Sequence, residues 1–311
     1  MWCRDHGLDV ATHMTGSADR RRATALGALS ILMWSALALL TVSTGAIPPF
    51  QLAAMTFAIG AAVGGIWIVA QGRSLRDAVA WPPRVWLLGV GGLFGYHLLY
   101  FIALRQAPAA EANLINYLWP LLIVLLSAPI AGEPLHGWHL GGAALGLAGI
   151  IVLTLGRGEV GFAGAHWPGY LAALGCAVVW SVYSVTSRRF GEVPTDAVAA
   201  FCAASSVLAA ICHVAVETTV WPSTSGAWLA VVALGIFPVG AAFYVWDVGM
   251  KRGDIRALGA LSYATPILST ALLIATGRAA ASPALLLAAA LVVGGAVLAG
   301  RDLWRRAKTQ A

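Results

Sequence analysis

Residues 110–122 read AEANLINYLWPLL. Two amides (Asn113, Asn116), a phenol (Tyr117), an indole (Trp119) and a proline (Pro120) interrupt a surround of leucine, isoleucine, valine and alanine. At about 100° per residue, Asn113, Asn116, Tyr117 and Pro120 occupy i, i+3, i+4 and i+7, a single helical face. Proline has no N–H, so Pro120 leaves the carbonyl of Asn116 without its helical partner. How much that costs depends on the solvent around the helix.

That solvent is hydrocarbon. The 311 residues are 59% hydrophobic and 10% charged, with a mean hydropathy of +0.81. A soluble domain carries roughly 25% charged residues. Ten apolar runs, near 23–44, 50–71, 85–104, 108–131, 138–156, 168–187, 195–216, 228–250, 256–275 and 283–300, approach the length of about 20 residues that spans a bilayer as helix. They are too long and continuous for barrel strands. The expected class is an all-α polytopic membrane protein with ten transmembrane helices. Residues 1–22 form a polar tail ending in Arg20-Arg21-Arg22, with Met14 a second candidate start, and 301–311 form another tail. The first run carries no small-residue cleavage site and is expected to be retained.

The net charge of +6 follows topology rather than nucleic acid. With the amino terminus inside, all 19 Lys and Arg except Arg105, Arg157 and Arg278 fall on the cytoplasmic side. The positive-inside rule therefore favours ten spans with both termini cytoplasmic. Cys3, Cys176, Cys202 and Cys212 have no metal or disulfide spacing and read as small packing residues, so no metal or cofactor is expected.

A shift of 146 residues places Trp34-Ser35 on Trp180-Ser181, Pro48 on Pro194, Ala53-Ala54 on Ala199-Ala200, Tyr117 on Tyr263 and Pro120 on Pro266. Alanine-rich helices match alanines by chance, but not this tryptophan, tyrosine and proline set. The chain thus divides into five-helix repeats at 23–156 and 168–300. Five is odd, so the halves enter the membrane from opposite sides, the inverted arrangement common in secondary transporters.

The repeat gives the opening stretch a partner. Gly259, Ser262, Tyr263 and Pro266 form the matching face on the ninth helix, and Pro266 frees the carbonyl of Ser262. At membrane depth such a carbonyl is tolerated only where protein, water or ligand satisfies it. The two faces are expected to meet across a filled space near the midplane, with Pro120 and Pro266 as hinges. In the competing reading each proline only kinks its helix, and the amides pair between helices.

Aromatic depth supports a pocket. Trp81, Trp86, Trp138, Trp167, Trp221, Trp228 and Trp304 lie near span ends as an interfacial belt, and Trp67 and Trp246 near cytoplasmic ends. Trp34, Trp119 and Trp180 fall near mid-depth, where an indole N–H needs a partner. Trp119 sits about 110° off the polar face and is expected to flank the pocket. Deep carboxylates, each costing at least about 2.5–3.5 kcal/mol, are missing. Glu111 lies near an outer helix end, Glu133 anchors the AGEP turn, and Asp247 pairs with Lys251 at i, i+4. His97, in GYHLLYF with Tyr96 and Tyr100, is the one histidine or charged residue well inside a span, either a structural group or a ligand contact.

An uncharged, ring-lined pocket suits a net-neutral solute with an apolar body. A zwitterionic amino acid fits, its ammonium on carbonyls or ring faces and its carboxylate on Asn or Tyr donors. A cationic drug is the alternative. No paired carboxylates, nucleophile–base pair or metal cluster points to catalysis. An ion channel would need rings of like residues.

Ten spans, the five-plus-five repeat, and NYLWPLLIVLLSAPIAGEPL followed by LSYATPILSTALL resemble the drug/metabolite transporter superfamily, EamA type. The NYLWP run and the paired Trp-Ser motifs are more narrowly similar to its aromatic amino-acid exporters. The resemblance covers nearly the whole chain after about residue 22 and implies an inner-membrane exporter of aromatic and other bulky neutral amino acids. It implies a central cavity at Trp34, His97, Tyr117, Trp119, Trp180 and Tyr263; the helical faces add Asn113, Asn116 and Ser262. The expected partners are this small-molecule substrate and the lipid bilayer.

Overall fold

The computed structural model describes residues 5–156, 162, 164–278 and 280–301, with side chains from residue 18 onward. Trp2, Cys3, Arg4, Arg157, Trp304, Arg305, Arg306 and Lys308 lie outside the described residues. Among those described, every regular element is a helix. In chain order they are α1 (Asp5–Ser35), α2 (Leu37–Ser43), α3 (Pro49–Ala70), α4 (Leu75–Val79), α5 (Pro83–Val90), α6 (Tyr96–Gln106), α7 (Ala109–Asn116), α8 (Trp119–Ala131) and α9 (Gly137–Leu155). The second half holds α10 (Trp167–Thr186), α11 (Ala197–Val216), α12 (Ser225–Ile236), α13 (Ala242–Arg252), α14 (Ile255–Leu261), α15 (Ala264–Ala275) and α16 (Pro283–Ala299). Nine helical stretches among the described residues are long and apolar enough to cross a membrane. The shorter α16 has 17 residues, about 26 Å of helix at 1.5 Å per residue.

Local sequence explains where these helices start and fail. Proline stands in the first turn of α3, α5, α8, α10 and α16, where its missing N–H has no helical partner to lose. Thr224, Asp254 and Ser282 cap α12, α14 and α16 by accepting backbone N–H bonds. Gly132 closes α8 in the left-handed region, at φ 69°, and turns the chain to present Glu133. α1 already includes residues 5–22, upstream of the apolar run, a stretch that contains no proline.

Two kinds of irregularity fall inside the spans. α5 and α6 are joined by a π-helical turn, Gly91–Gly95, and α12 and α13 by another, Phe237–Ala241. The span built from α1 and α2 breaks at Ala36, that built from α7 and α8 at Tyr117–Leu118, and that built from α14 and α15 at Ser262–Tyr263.

Helices from the two halves alternate in the bundle. α3 packs on α11, α9 on α16, α1 on α13, and α10 on α6 and α8. Lipid tails are as apolar as leucine, so these contacts depend on close packing rather than on a hydrophobic drive. At the α1–α13 crossing a Cβ on Gly27 would lie 2.9 Å from the Gly249 Cα. At the α9–α16 crossing a Cβ on Gly142 would lie 2.5 Å from the Gly295 carbonyl oxygen. The glycines of the ninth element thus serve packing within the chain. Gly142→Leu is expected to lower stability in detergent by about 1–3 kcal/mol, the usual cost of overpacking. Gly141→Ala, whose Cβ meets only the flexible end of Leu298 at 3.3 Å, is expected to leave the thermal midpoint unchanged.

Candidate functional site

One cavity of about 150 Å³ is bordered by Tyr117 at its break, by Pro238 and Val239 of the second π turn, by Tyr96 directly after the first, and by Thr265 two residues beyond Tyr263. Its walls include Trp34, Tyr96, His97, Tyr100, Asn116, Tyr117, Trp119 and Trp180, with Leu37, Pro238, Val239, Phe243 and Thr265 completing them. None of these residues is an Asp, Glu, Lys or Arg. A cavity of this size in a protein core accommodates roughly one benzene ring.

The aromatic walls form a connected cage. The Trp34 ring centroid lies 5.6 Å from that of Trp180, 6.4 Å from Trp119 and 5.1 Å from Trp246, at steep interplanar angles. Tyr96 approaches Trp180 at 5.5 Å and His97 at 5.3 Å, and His97 meets Phe57 edge-on at 4.9 Å. Edge-to-face pairs of this kind contribute about 0.5–1.5 kcal/mol each beyond burial.

Irregular backbone supplies the polar partners that such a cage needs. Trp34 Nε1 donates to the Pro238 carbonyl at 3.0 Å, inside the second π turn. His97 Nδ1 bonds to the Leu93 carbonyl at 2.7 Å, inside the first. A carbonyl only accepts, so Nδ1 carries the proton and Nε2 of the neutral ring is left as an acceptor. At the break, Ser181 Oγ donates to the Trp119 carbonyl at 2.9 Å, and Asn116 Nδ2 donates to the Tyr96 hydroxyl at 3.0 Å. Two buried cavity-wall atoms, Asn116 Oδ1 and Thr265 Oγ1, have no hydrogen-bond partner among the described residues. In a low-dielectric interior each such atom costs about 1–3 kcal/mol unless a ligand or water satisfies it.

Six of the nine expected site residues therefore line the cavity, and three do not. Asn113 stands behind it, its Oδ1 accepting from the Tyr100 hydroxyl at 2.8 Å. Ser262 is fully buried and donates back to the Leu258 carbonyl at 2.7 Å. Tyr263 is fully buried against Gly146 of α9, in a cluster with Val124, Ile150 and Val292. Asn113 shares α7 with Asn116 but is held back by Tyr100. For Ser262 and Tyr263 the reason is the break itself: a helical wheel assumes one continuous phase, and the turn at Ser262–Tyr263 resets it, as the turn at Tyr117–Leu118 does in the first half. The same reset brings Trp119, 6% exposed, into the cavity wall rather than beside it. Pro120 and Pro266 stand in the first turns of α8 and α15, just beyond the breaks.

Trp246, expected near a cytoplasmic end, instead packs on Trp34 at 5.1 Å inside the cage, 1% exposed, with Nε1 donating to Ser184 Oγ at 3.1 Å. A usable signal existed for several missed residues. The 146-residue shift carries His97 onto Phe243, Tyr100 onto Trp246 and Trp119 onto Thr265. Leu37, Pro238 and Val239 gave no such signal.

One end of the bundle is closed by charge. Glu133, presented by Gly132, lies 3.1 Å from Arg20 of α1, 3.1 Å from Arg188 after α10 and 3.6 Å from Arg256 of α14. Asp254 joins at 3.4 Å from both Arg20 and Arg256. Burial pushes the Asp254 carboxyl up, but Arg256 and Arg20 outweigh it and hold the group below its ordinary range. Trp34 stands about 21 Å along α1 from Arg20, at 1.5 Å per residue, so this cluster and the cavity are separate layers. Asp247 pairs with Lys251 at 2.8 Å and also accepts from Thr195. Glu111 is buried and accepts from the Tyr170 hydroxyl.

Comparison with known proteins agrees with this geometry. The model of the EamA-like transporter family matches residues 21–155 and again 167–301. The protein named aromatic amino acid exporter YddG from Ancylobacter novellus is 59% identical over 282 residues, covering 90% of this chain and 98% of its own. The protein of that name from Escherichia coli is 25% identical over 302 residues, covering 90% and 97%. A crystal structure 58% identical in sequence, covering 92% of this chain and 99% of its own, superposes with a TM-score of 0.88. With its cage, its broken spans and two family matches covering most of its length, the chain belongs to the EamA-like transporter family.

Proposed function

We propose that this chain exports aromatic and other bulky neutral amino acids across the inner membrane, by alternating access and without obligatory proton coupling. The observation that carries the reading is the cavity. It is sized for one ring, walled by rings, free of charged side chains, and provided with two unpartnered polar atoms. An aromatic side chain would fill the cage, while the ammonium and carboxylate would meet His97 Nε2, Asn116 and Thr265. A relative 59% identical to the chain bears the name of an aromatic amino acid exporter.

Ten spans in two inverted halves fit the same observations. The family match occurs twice, the π turns begin 146 residues apart at Gly91 and Phe237, and α6 and α13 keep that spacing at both ends. Helix pairing is also reciprocal, since α1 packs on α13 where α10 packs on α6. With both termini cytoplasmic, the Glu133 cluster is the cytoplasmic closure, which rocking about Pro120 and Pro266 would open. Removing Glu133 leaves three guanidinium groups sharing one fewer carboxylate at a partly buried site. A cysteine placed at Ser187, in a background without the native cysteines, is therefore expected to react faster with an impermeant maleimide once Glu133→Ala is added.

Competition against radiolabelled phenylalanine in proteoliposomes tests the substrate class. Trp119→Ala and Trp180→Ala are expected to impair transport severely at normal membrane expression. Thr265→Val is expected to weaken competition by roughly tenfold, the effect of removing one hydrogen bond to a charged group. Normal transport by both tryptophan variants would remove the site assignment, and preferential competition by quaternary ammonium compounds would favour a cationic substrate. Without a deep carboxylate, uptake is expected to proceed down a phenylalanine gradient with no proton gradient imposed, and a stall under those conditions would contradict the facilitative mechanism.

A further inference from the structure

A second and larger recess lies outside the bundle's centre. Between α1, α3 and α13 a groove of about 660 Å³ opens on the flank that carries Arg73 and Arg252. Its volume falls within the roughly 300–1,000 Å³ range of small-ligand pockets. From Ala241 at the end of the π turn its wall runs as a single stripe along α13, Val245 and Val248 followed by Arg252, so an apolar trough ends in a guanidinium. Facing it, Leu26 of α1 and Trp67 of α3 are 45% and 60% exposed. The floor is Tyr244, whose ring occupies the room left by the missing side chain of Gly64. Its hydroxyl donates to the Gly60 carbonyl at 2.9 Å, so the floor's polar atom is already spent.

Charge at the rim is unbalanced. Arg73 is neutralised by Asp196 at 2.5 Å. Arg252 is exposed, with no ionic partner among the described residues. Arg22, one helical turn before Leu26 on the same face of α1, is exposed and equally unpartnered there. A free guanidinium at the end of an apolar trough, Arg252, and a second, Arg22, one turn of α1 beyond the Leu26 wall match a molecule with an anionic head and a hydrocarbon body. A basic residue near a membrane surface contributes about 1 kcal/mol to the attraction of anionic lipid. We propose that this groove binds one anionic phospholipid, its phosphate on Arg22 and Arg252 and an acyl chain against Trp67 and Val248. Placing the head in the cytoplasmic leaflet rests on the orientation proposed above; the binding itself does not.

Native mass spectrometry of the full chain in detergent, with phosphatidylglycerol or phosphatidylcholine of identical acyl chains, tests this. The wild type is expected to retain a single phosphatidylglycerol about tenfold better than phosphatidylcholine. The double variant Arg22→Ala/Arg252→Ala, altered only at exposed positions, is expected to lose that preference. Val248→Trp, which fills the trough, is expected to lower retention of both lipids. Equal retention of the two lipids by the wild type would overturn the assignment, as would a preference that survives the double substitution. A two-chain assembly that Val248→Trp dissociates would assign the groove to a second copy of the chain and overturn it as well. These outcomes do not depend on amino-acid transport, which failed site variants would affect instead.

Discussion

Hydrocarbon offers no partner to a stray peptide carbonyl, and this constraint organises the molecule. Inside the membrane the backbone departs from the α-helix at Ala36, at Tyr117–Leu118, at Ser262–Tyr263 and in two π turns, and a side chain in or within two residues of each of these lines the same cavity. Three of these departures have a side-chain donor at hand: Trp34 for Pro238, His97 for Leu93, Ser181 for Trp119. Irregular backbone is tolerated here because it is enclosed by protein and lines a space. The irregularity also provides function, since it delivers side chains from separate spans to one point.

The cage trades charge for aromatic surface. A carboxylate at this depth would be costly and would draw a proton or a cation. Rings avoid that cost and still offer polar edges, quadrupole faces and a few hydroxyls. A solute that carries both charges internally suits such a wall, because no net charge has to be transferred. Charge is instead gathered at one end, where Glu133 and Asp254 tie together Arg20, Arg188 and Arg256 from segments remote in the chain. The members of this network sit on different helices, so it ties those helices together at that end.

Much of the architecture was legible from residue order. Long apolar runs report helices because hydrophobicity at this length has few other uses, and prolines in first turns report where helices begin. The 146-residue shift exposed paired tryptophans, tyrosines and prolines, and it contained more than was taken from it. Applied to His97, Tyr100 and Trp119 it leads to Phe243, Trp246 and Thr265, all at or in the cage. What failed was the helical wheel. It puts Ser262 and Tyr263 on the cavity face by a phase that the breaks do not preserve, and position along the span puts Trp246 near a cytoplasmic end although it packs on Trp34 in the cage.

By itself, the order of amino acids determined the membrane class, the helical content, the location of the breaks and the aromatic character of the pocket, since each follows from local composition and from proline's missing N–H. Only the tertiary structure decided which side chains meet: Asn116 but not Asn113, Thr265 but not Ser262, Glu133 with three arginines rather than with its own turn. The physical reason is that contact across helices depends on rotation and crossing distance. Both are set by small residues such as Gly27, Gly142 and Gly295 on neighbouring helices, which no single stretch of sequence reports.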